Sequence, residues 1–269
     1  MVPGAPNRTL RRMLALGRVR LNGDPCKVGS RPARAGDVVE ICDGTATSRR
    51  FRGLEIVYED EDLLVIHKPA GLLTVATMHE RERTAYAYLR EYLSGPRKKQ
   101  KVFIVHRLDK FVSGLLVFAK SEMVKSGLQA QFERHRIERG YWAIVEGRVD
   151  RDRGTIRSRL AQDHSLRMHS TQQPRGGKEA ITHYRVLRRL PQTTCLEIRL
   201  ETGRKNQIRV HLSELGHPIV GDQAYGSGID PLGRMGLHAF RLGFIHPVRR
   251  TELHFETEPP PEFRRYLLR

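Results

Sequence analysis

A guanidinium and a carboxylate stand close together in the run His106-Arg107-Leu108-Asp109, which continues through Ser113-Gly114 into the apolar stretch 115–119. Such a stretch reads as a buried strand. Asp109 therefore sits in a loop entering the core, where side chains more often serve function than packing. A carboxylate so placed can act as nucleophile, as base or as an electrostatic partner. A second guanidinium, Arg209, lies in Thr202-Gly203-Arg204-Lys205-Asn206-Gln207-Ile208-Arg209-Val210-His211. Residues 207–215 have helical spacing, with Ile208, Leu212 and Leu215 on one face and Gly216 as the stop. Arg209 then falls in the first turn, where a cation opposes the helix macrodipole. A cation near an acid favours the ionised form of that acid. Tyr141 begins the apolar run Tyr141-Trp142-Ala143-Ile144-Val145. Its ring can stack on a planar ligand and its hydroxyl can move a proton, although strand packing is the plainer use of such a residue.

The elements that must hold these side chains alternate between strand and helix patterns. Residues 54–58 and 63–67 flank an acidic turn, as in a hairpin, and Thr84 can cap a helix running to 93. Ser121 can cap another reaching about residue 136. Segments 140–145, 180–187 and 194–201 read as strands; in the last, Leu196, Ile198 and Leu200 alternate with Glu197, Arg199 and Glu201. Residues 226–236 form an irregular loop, and no internal repeat is visible. This mixed order predicts an α+β fold around a mixed, mainly antiparallel sheet flanked by helices.

The first 50 residues are expected to form a small basic α/β module and linker, with the larger domain over 51–269. Residues 10–16 are helical in pattern and end at Gly17; Arg18-Val19-Arg20-Leu21 alternates; Asn22-Gly23-Asp24 is a tight turn; 38–41 reads as a strand. This segment holds ten Lys/Arg against four Asp/Glu.

The chain has 269 residues, a formal net charge of +18 and a pI near 10.4. Such a charge attracts polyphosphate backbones. A second cationic cluster, Arg97-Lys98-Lys99-Gln100-Lys101, directly precedes the His106–Asp109 run. No apolar run is long enough to span a bilayer, and residues 1–6 lack the apolar core of a secretory signal. Cys26, Cys42 and Cys195 make neither a disulfide framework nor a zinc pattern, and the twelve histidines show no metal spacing. These features lead us to expect a cytoplasmic protein with no metal, no membrane association and no obligate protein partner.

Several ordered segments resemble the RluA-like family of RNA pseudouridine synthases. They are Glu59-Asp60-Glu61-Asp62-Leu63-Leu64-Val65-Ile66-His67-Lys68-Pro69-Ala70-Gly71-Leu72, the His106–Asp109 run, the Tyr141 strand, the Arg209 motif with Gly216-His217-Pro218-Ile219-Val220-Gly221-Asp222 after it, and Leu237-His238-Ala239. The resemblance spans about residues 54–257 and implies isomerisation of uridine to pseudouridine in RNA. It assigns Asp109 the essential role, either attacking the anomeric carbon or removing the neighbouring sugar proton. It makes Tyr141 a wall for the base and Arg209 the partner of Asp109. Arg107 becomes the side chain that fills the gap left by a flipped nucleotide. His106, Ile208 and Leu237 join the substrate-binding set, and Lys68-Pro69 becomes a rigid support.

The N-terminal segment resembles the RNA-binding domain named after small-subunit ribosomal protein four, without its usual first helix; there Arg18 and Arg20 would face RNA. The reaction loses no atom and changes no oxidation state, so no cofactor is expected. Ribosomal RNA is the first expected substrate and transfer RNA the second. The chain departs from the common family pattern at Phe111-Val112, where an acidic residue and a threonine are usual, and at Lys205-Asn206, where Thr-His is usual. The competing reading is a non-catalytic RNA-binding or ribosome assembly protein on the same scaffold. A nuclease would need clustered carboxylates for two metals, which the sequence does not offer.

Overall fold

The computed structural model describes residues 19–22, 24–26, 34, 36–41, 49–95, 98–99, 101–173 and 176–267. Strand β1 (Val19–Leu21) pairs antiparallel with β2 (Asp24–Pro25) and with β3 (Val39–Ile41). Asn22 makes the turn at φ 54°, a conformation its short polar side chain tolerates. Its amide bonds Asp37 Oδ1 and the Val38 N–H, which ties the turn to the start of β3. The expected helix over 10–16, its stop at Gly17, and Arg18 lie outside the described residues.

A second sheet begins at β4 (Arg49–Phe51) and continues through β5 (Leu54–Glu59) and β6 (Leu63–Lys68). Helix α1 (Ala85–Leu93) follows, then a short ladder of β7 (Ser94–Gly95) with β8 (Lys98–Lys99), then β9 (Phe103–Ile104) and β10 (Ser113–Ala119). Helix α2 (Glu122–Glu133) leads to β11 (Glu138–Glu146), β12 (Arg153–Gln162), β13 (Met168–Ser170), β14 (Lys178–Arg189) and β15 (Thr193–Leu200). Helix α3 (Gln207–Glu214), β16 (Leu237–Ile245), β17 (Glu252–Glu256) and α4 (Pro261–Leu267) complete the described chain. The twelve-stranded sheet runs β13-β12-β14-β15-β11-β16-β10-β6-β5-β4, with β17 on β16 and β9 on β10. The β10–β16 pair is parallel and the other ladders are antiparallel. The fold is α+β, as the element order led us to expect.

Local chemistry explains the helices. Thr84 Oγ1 accepts from Ala87 N at 3.0 Å, and Ala85, Leu89 and Leu93, four apart, form the buried face of α1. Ser121 Oγ caps α2 in the same way at 3.3 Å. That helix stops at Glu133, short of the expected 136, because the chain turns through His135 at φ 54°. One apolar core lies on the α1 and α3 side of the sheet and includes Leu89, Leu108, Val112, Tyr141, Ile208, Leu212 and Leu237. A second lies under α2, around Val124, Leu128, Leu115 and Val117.

The sheet splits where the site forms. β10 and β16 pair only through Ser113↔His238 and Gly114↔Ala239. Beyond that junction β16 turns to β17 through Arg241–Ile245, and β10 turns to β9 at Phe118 and Ala119. Gly114 is required there: its φ is +120°, and a Cβ would collide with the Ala239 backbone. A buried chain of bonds pins the junction. Arg234 donates to Ser113 Oγ at 2.6 Å, Ser113 meets His238 Nδ1 at 2.7 Å, and His238 Nε2 meets Thr257 Oγ1 at 2.8 Å. With Arg234 donating to Ser113, the serine proton goes to Nδ1 and the imidazole is neutral. Burial, with His67 and Arg234 nearby, pulls its pKa to about 3.

Candidate active site

Asp109 opens a tight turn that closes with Val112 N donating to Asp109 O at 3.2 Å. The loop after β6 grips this turn on both sides. Thr74 Oγ1 donates to Leu108 O at 2.7 Å and accepts from Leu108 N at 3.2 Å. On the other side Lys110 O accepts from Gly71 N at 2.9 Å and from Lys68 Nζ at 3.2 Å. Lys68 also donates to Pro69 O at 3.0 Å and Leu72 O at 2.7 Å, and its side chain is fully buried. Burial pulls the Lys68 pKa down to about 7, against the pull of Asp109. The lysine is a clamp on three carbonyls that fixes the peptide after Asp109.

Arg209 comes to the same point from α3. Its NH1 donates to Asp109 Oδ2 at 3.2 Å, across 100 residues of sequence. Its planar fork is committed elsewhere: Nε to Asp222 Oδ2 at 2.7 Å and NH2 to Asp222 Oδ1 at 2.8 Å. The Asp222 side chain is 1% exposed and that of Arg209 is 12% exposed, so this is a bidentate pair held inside the protein. Asn206, at the N-cap with φ 53°, accepts from Arg209 NH1 at 3.2 Å and donates to Tyr225 OH at 3.0 Å. The Tyr225 ring lies 4.7 Å under the guanidinium. Burial opposes the charge, but Asp222 and then Asp109 raise the Arg209 pKa above its ordinary value.

Tyr141 enters from β11. The β11–β16 register shifts between Gly140 and Tyr141, a bulge that re-aims the strand beside the site. Burial raises the Tyr141 pKa, Arg139 opposes and Asp109 adds to the rise; the phenol keeps its proton at neutral pH and can donate it in a hydrogen bond. A cavity of about 70 Å³ brings together Arg107, Leu108, Asp109, Val112, Tyr141, Ile208, Arg209 and Leu237, with Leu200, Arg204, Asn206 and Gln207 completing its wall. Of the residues singled out in the sequence, Asp109, Tyr141, Arg209, Arg107, Ile208 and Leu237 thus share one cavity, and Arg107 is exposed at its rim.

His106 corrects the expectation of a substrate contact. Its ring packs against Phe132 at 4.8 Å, and its Nε2 accepts the Val117 N–H at 3.2 Å. It satisfies a strand-edge donor where β10 parts from β16, and it is not among the cavity residues. Burial, then Arg139, pulls its pKa to about 3. Arg20 lies in β1, with its side chain outside the described residues.

Sequence reasoning gave Asp222 and Tyr225 no role. Gly221-Asp222 was visible as a motif, but nothing in its spacing says that the carboxylate closes back on α3. A larger groove of about 380 Å³ lies between Arg153, His183, Arg185, Glu197 and Arg199 on the outer sheet face. It lacks an Asp, and its one carboxylate, Glu197, is paired with Arg185 and lies near Arg241.

Asp60, Asp62 and His246 form a cluster with metal-like spacing. His246 Nδ1 accepts from Val248 N at 3.2 Å and Arg249 N at 3.0 Å, which leaves Nε2 to donate to Asp60 Oδ2 at 2.9 Å. Asp60 Oδ1 accepts from Asp62 N and Leu63 N, and Tyr58 OH donates to Oδ2. Burial opposes them, but these backbone donors hold the Asp60 carboxyl below its ordinary range. With its lone pairs so engaged, the cluster is a latch between the β5–β6 and β16–β17 turns.

The sequence profile of the RNA pseudouridylate synthase family matches residues 62–214. Ribosomal large subunit pseudouridine synthase D of Zymomonas mobilis is 40% identical over 223 residues, covering 78% of this chain and 70% of that protein. The protein of the same name from Salmonella typhimurium is 32% identical over 97% of this chain and 85% of its own length. Among solved structures, human RNA Pseudouridylate Synthase Domain Containing 1 superposes with a TM-score of 0.65 at 27% identity, covering 79% of this chain and 86% of that one. No described helix is long and apolar enough to cross a membrane. A carboxylate, a phenol and an internally paired arginine converge in a cavity of a chain so related; it belongs to the RluA-like RNA pseudouridine synthase family and is an RNA pseudouridine synthase.

Proposed function

We propose that this enzyme isomerises specific uridines of large-subunit ribosomal RNA, with transfer RNA as the second candidate, and that Asp109 carries the reaction without metal or cofactor. The observation that carries the reading is the one-sided Arg209–Asp109 contact at 3.2 Å. Because the arginine's fork is held by Asp222, Asp109 keeps its other oxygen for a substrate.

The target nucleotide must leave its stack for its sugar to be reached. Arg107, exposed at the rim, enters the space it leaves. The base lies against Tyr141, with Ile208 and Leu237 as apolar walls that exclude water. Asp109 acts on the ribose, at the anomeric carbon or at the adjacent sugar proton. Arg209 stabilises the carboxylate's charge, and the Tyr141 hydroxyl serves as a donor. The atoms of uridine are conserved through the turn of the ring, so no group outside the chain is required. The relatives named as ribosomal large subunit enzymes support the RNA class, and a cytoplasmic location follows from such a substrate.

Residues 1–50 form, on this reading, a basic RNA-binding module, with Arg18 and Arg20 as contacts, ahead of the catalytic domain. Deleting them is expected to flatten the salt dependence of binding by about 0.7–0.9 in log–log slope per lost phosphate contact. An unchanged slope removes the module from the RNA interface. The function itself is tested by mapping pseudouridines in total RNA with and without the gene. One or more sites missing from large-subunit ribosomal RNA in the deletion strain is the expected result. A full complement of sites there rejects the substrate assignment, and no missing site in any RNA favours a binding protein.

A further inference from the structure

Phe111 occupies an unusual place. It sits in the tight turn between Asp109 and Val112, both of which line the cavity. Val112 points inward and is 2% exposed, while Phe111 is 52% exposed. The turn is fixed by the bonds of Lys68 and Gly71 to Lys110 O, so the ring is presented on rigid backbone. Lys110 Nζ stands 5.2 Å from the ring centroid, and Arg107 is exposed on the same loop. A flat apolar ring on a rigid turn, flanked by cations, matches what an unpaired nucleotide offers: a π face and a phosphate. The adjoining site belongs to an RNA-modifying enzyme, so an unpaired nucleotide is the occupant this position favours.

We propose that Phe111 is a stacking platform for an unpaired base beside the target uridine, and that it selects nucleotides in loops over those in continuous helix. The proposal rests on the RNA reading of the same site. It concerns binding and specificity, and Phe111 takes no part in the chemistry.

The test uses the full-length chain and two synthetic hairpins, one with a uridine-rich loop and one with the loop nucleotides abasic. Phe111→Ala is expected to weaken binding to the first about five- to 150-fold, the range of one base–aromatic stack, and to leave binding to the abasic hairpin unchanged. Phe111→Tyr and Phe111→Trp should bind as the wild type does, whereas Phe111→Leu should lose most of the gain. Matching melting curves show that the variants are folded, as an exposed position allows. An equal loss on both hairpins, full binding by Phe111→Leu, or no loss at all overturns the proposal. Turnover separates it from the reading on which it rests. Base-dependent binding by a protein that forms no pseudouridine leaves the platform standing and rejects the catalytic function. Pseudouridine formed with unchanged KM by Phe111→Ala does the reverse.

Discussion

Arg209, half-buried, and Arg139, buried, both lie near Tyr141, and they are held in opposite ways. Arg209 has two carboxylates, Asp222 on its fork and Asp109 on its remaining nitrogen. Arg139, 7% exposed, makes no ion pair among the described residues. Its NH2 donates to Glu201 O at 3.1 Å and to Leu200 O at 3.5 Å, its charge lies 5.3 Å from the Phe132 ring, and its Nε has no partner among the described residues. Gly203 leaves room for it, since a Cβ there would collide with NH1. Burial accordingly lowers the Arg139 pKa, while the acids raise that of Arg209. The difference teaches that a buried cation near this site is not by itself a catalytic feature. Arg209 is set by one acid so that it can present a single N–H to another; Arg139 braces the turn between β15 and α3.

The comparison is tested hardest at Asp222. Asp222→Asn leaves the Arg209 charge with half its partners, and breaking a buried pair costs about 3–5 kcal/mol. The retained Asp109 contact places the expected loss at the lower end, read by urea unfolding, together with a fall in single-turnover rate. Wild-type stability would mean that the fork carries no weight.

Arg209→Lys comes next. A lysine cannot grip Asp222 in two places and also reach Asp109 in the same geometry. The single-turnover rate at saturating RNA is expected to drop about tenfold to a thousandfold, or roughly 1.4–4 kcal/mol of barrier. A defect confined to RNA affinity would make Arg209 a surface cation in effect.

Arg139→Met should be mild. Removing a buried charge that no carboxylate offsets ends its desolvation cost, which compensates the carbonyl hydrogen bonds lost with it. A stability change under about 1 kcal/mol is expected, and a change as large as that of Asp222→Asn would erase the contrast.

A further effect is spread over pH. The imidazoles of His106 and His238 have folded pKa values near 3, below the 6.5 of a free histidine. Between those values the unfolded chain binds more protons, so their contribution to stability is complete above about pH 6.5 and is lost as pH falls toward 3. His106→Gln should therefore flatten the slope of unfolding midpoint against pH below neutrality, whereas an identical slope would remove His106 from that linkage.

Much of the scaffold was legible because its signals are local. β10 carries the unbroken apolar run 115–119 with every residue buried, α1 has a threonine cap, and the second half of β15 alternates from Leu196 to Leu200, which declares its faces. β12 was not legible. It mixes Gly154 and Ser158 with exposed arginines, and what makes it a strand is its pairing with β14 from Arg153 to Leu160, a contact that no local pattern encodes. The site divides in the same way. Asp109, Tyr141 and Arg209 stand in recognisable segments, whereas the grip of Asp222 on Arg209 depends on how the chain after α3 folds back. His106 joined the substrate-binding set with its motif; the loop sends its ring to the Phe132 side and leaves the Arg107 side chain at the cavity rim.

The account stands on Asp109, and Asp109→Asn tests it most directly, because the amide keeps the shape and removes the charge. The measurement is single-turnover formation of pseudouridine in a large-subunit ribosomal RNA transcript, with RNA affinity and thermal melting measured on the same samples. The expected result is no detectable product, with affinity and melting near those of the wild type. Product formed at close to the wild-type rate would contradict the account, since the carboxylate that Arg209 meets would then not be the group that does the chemistry.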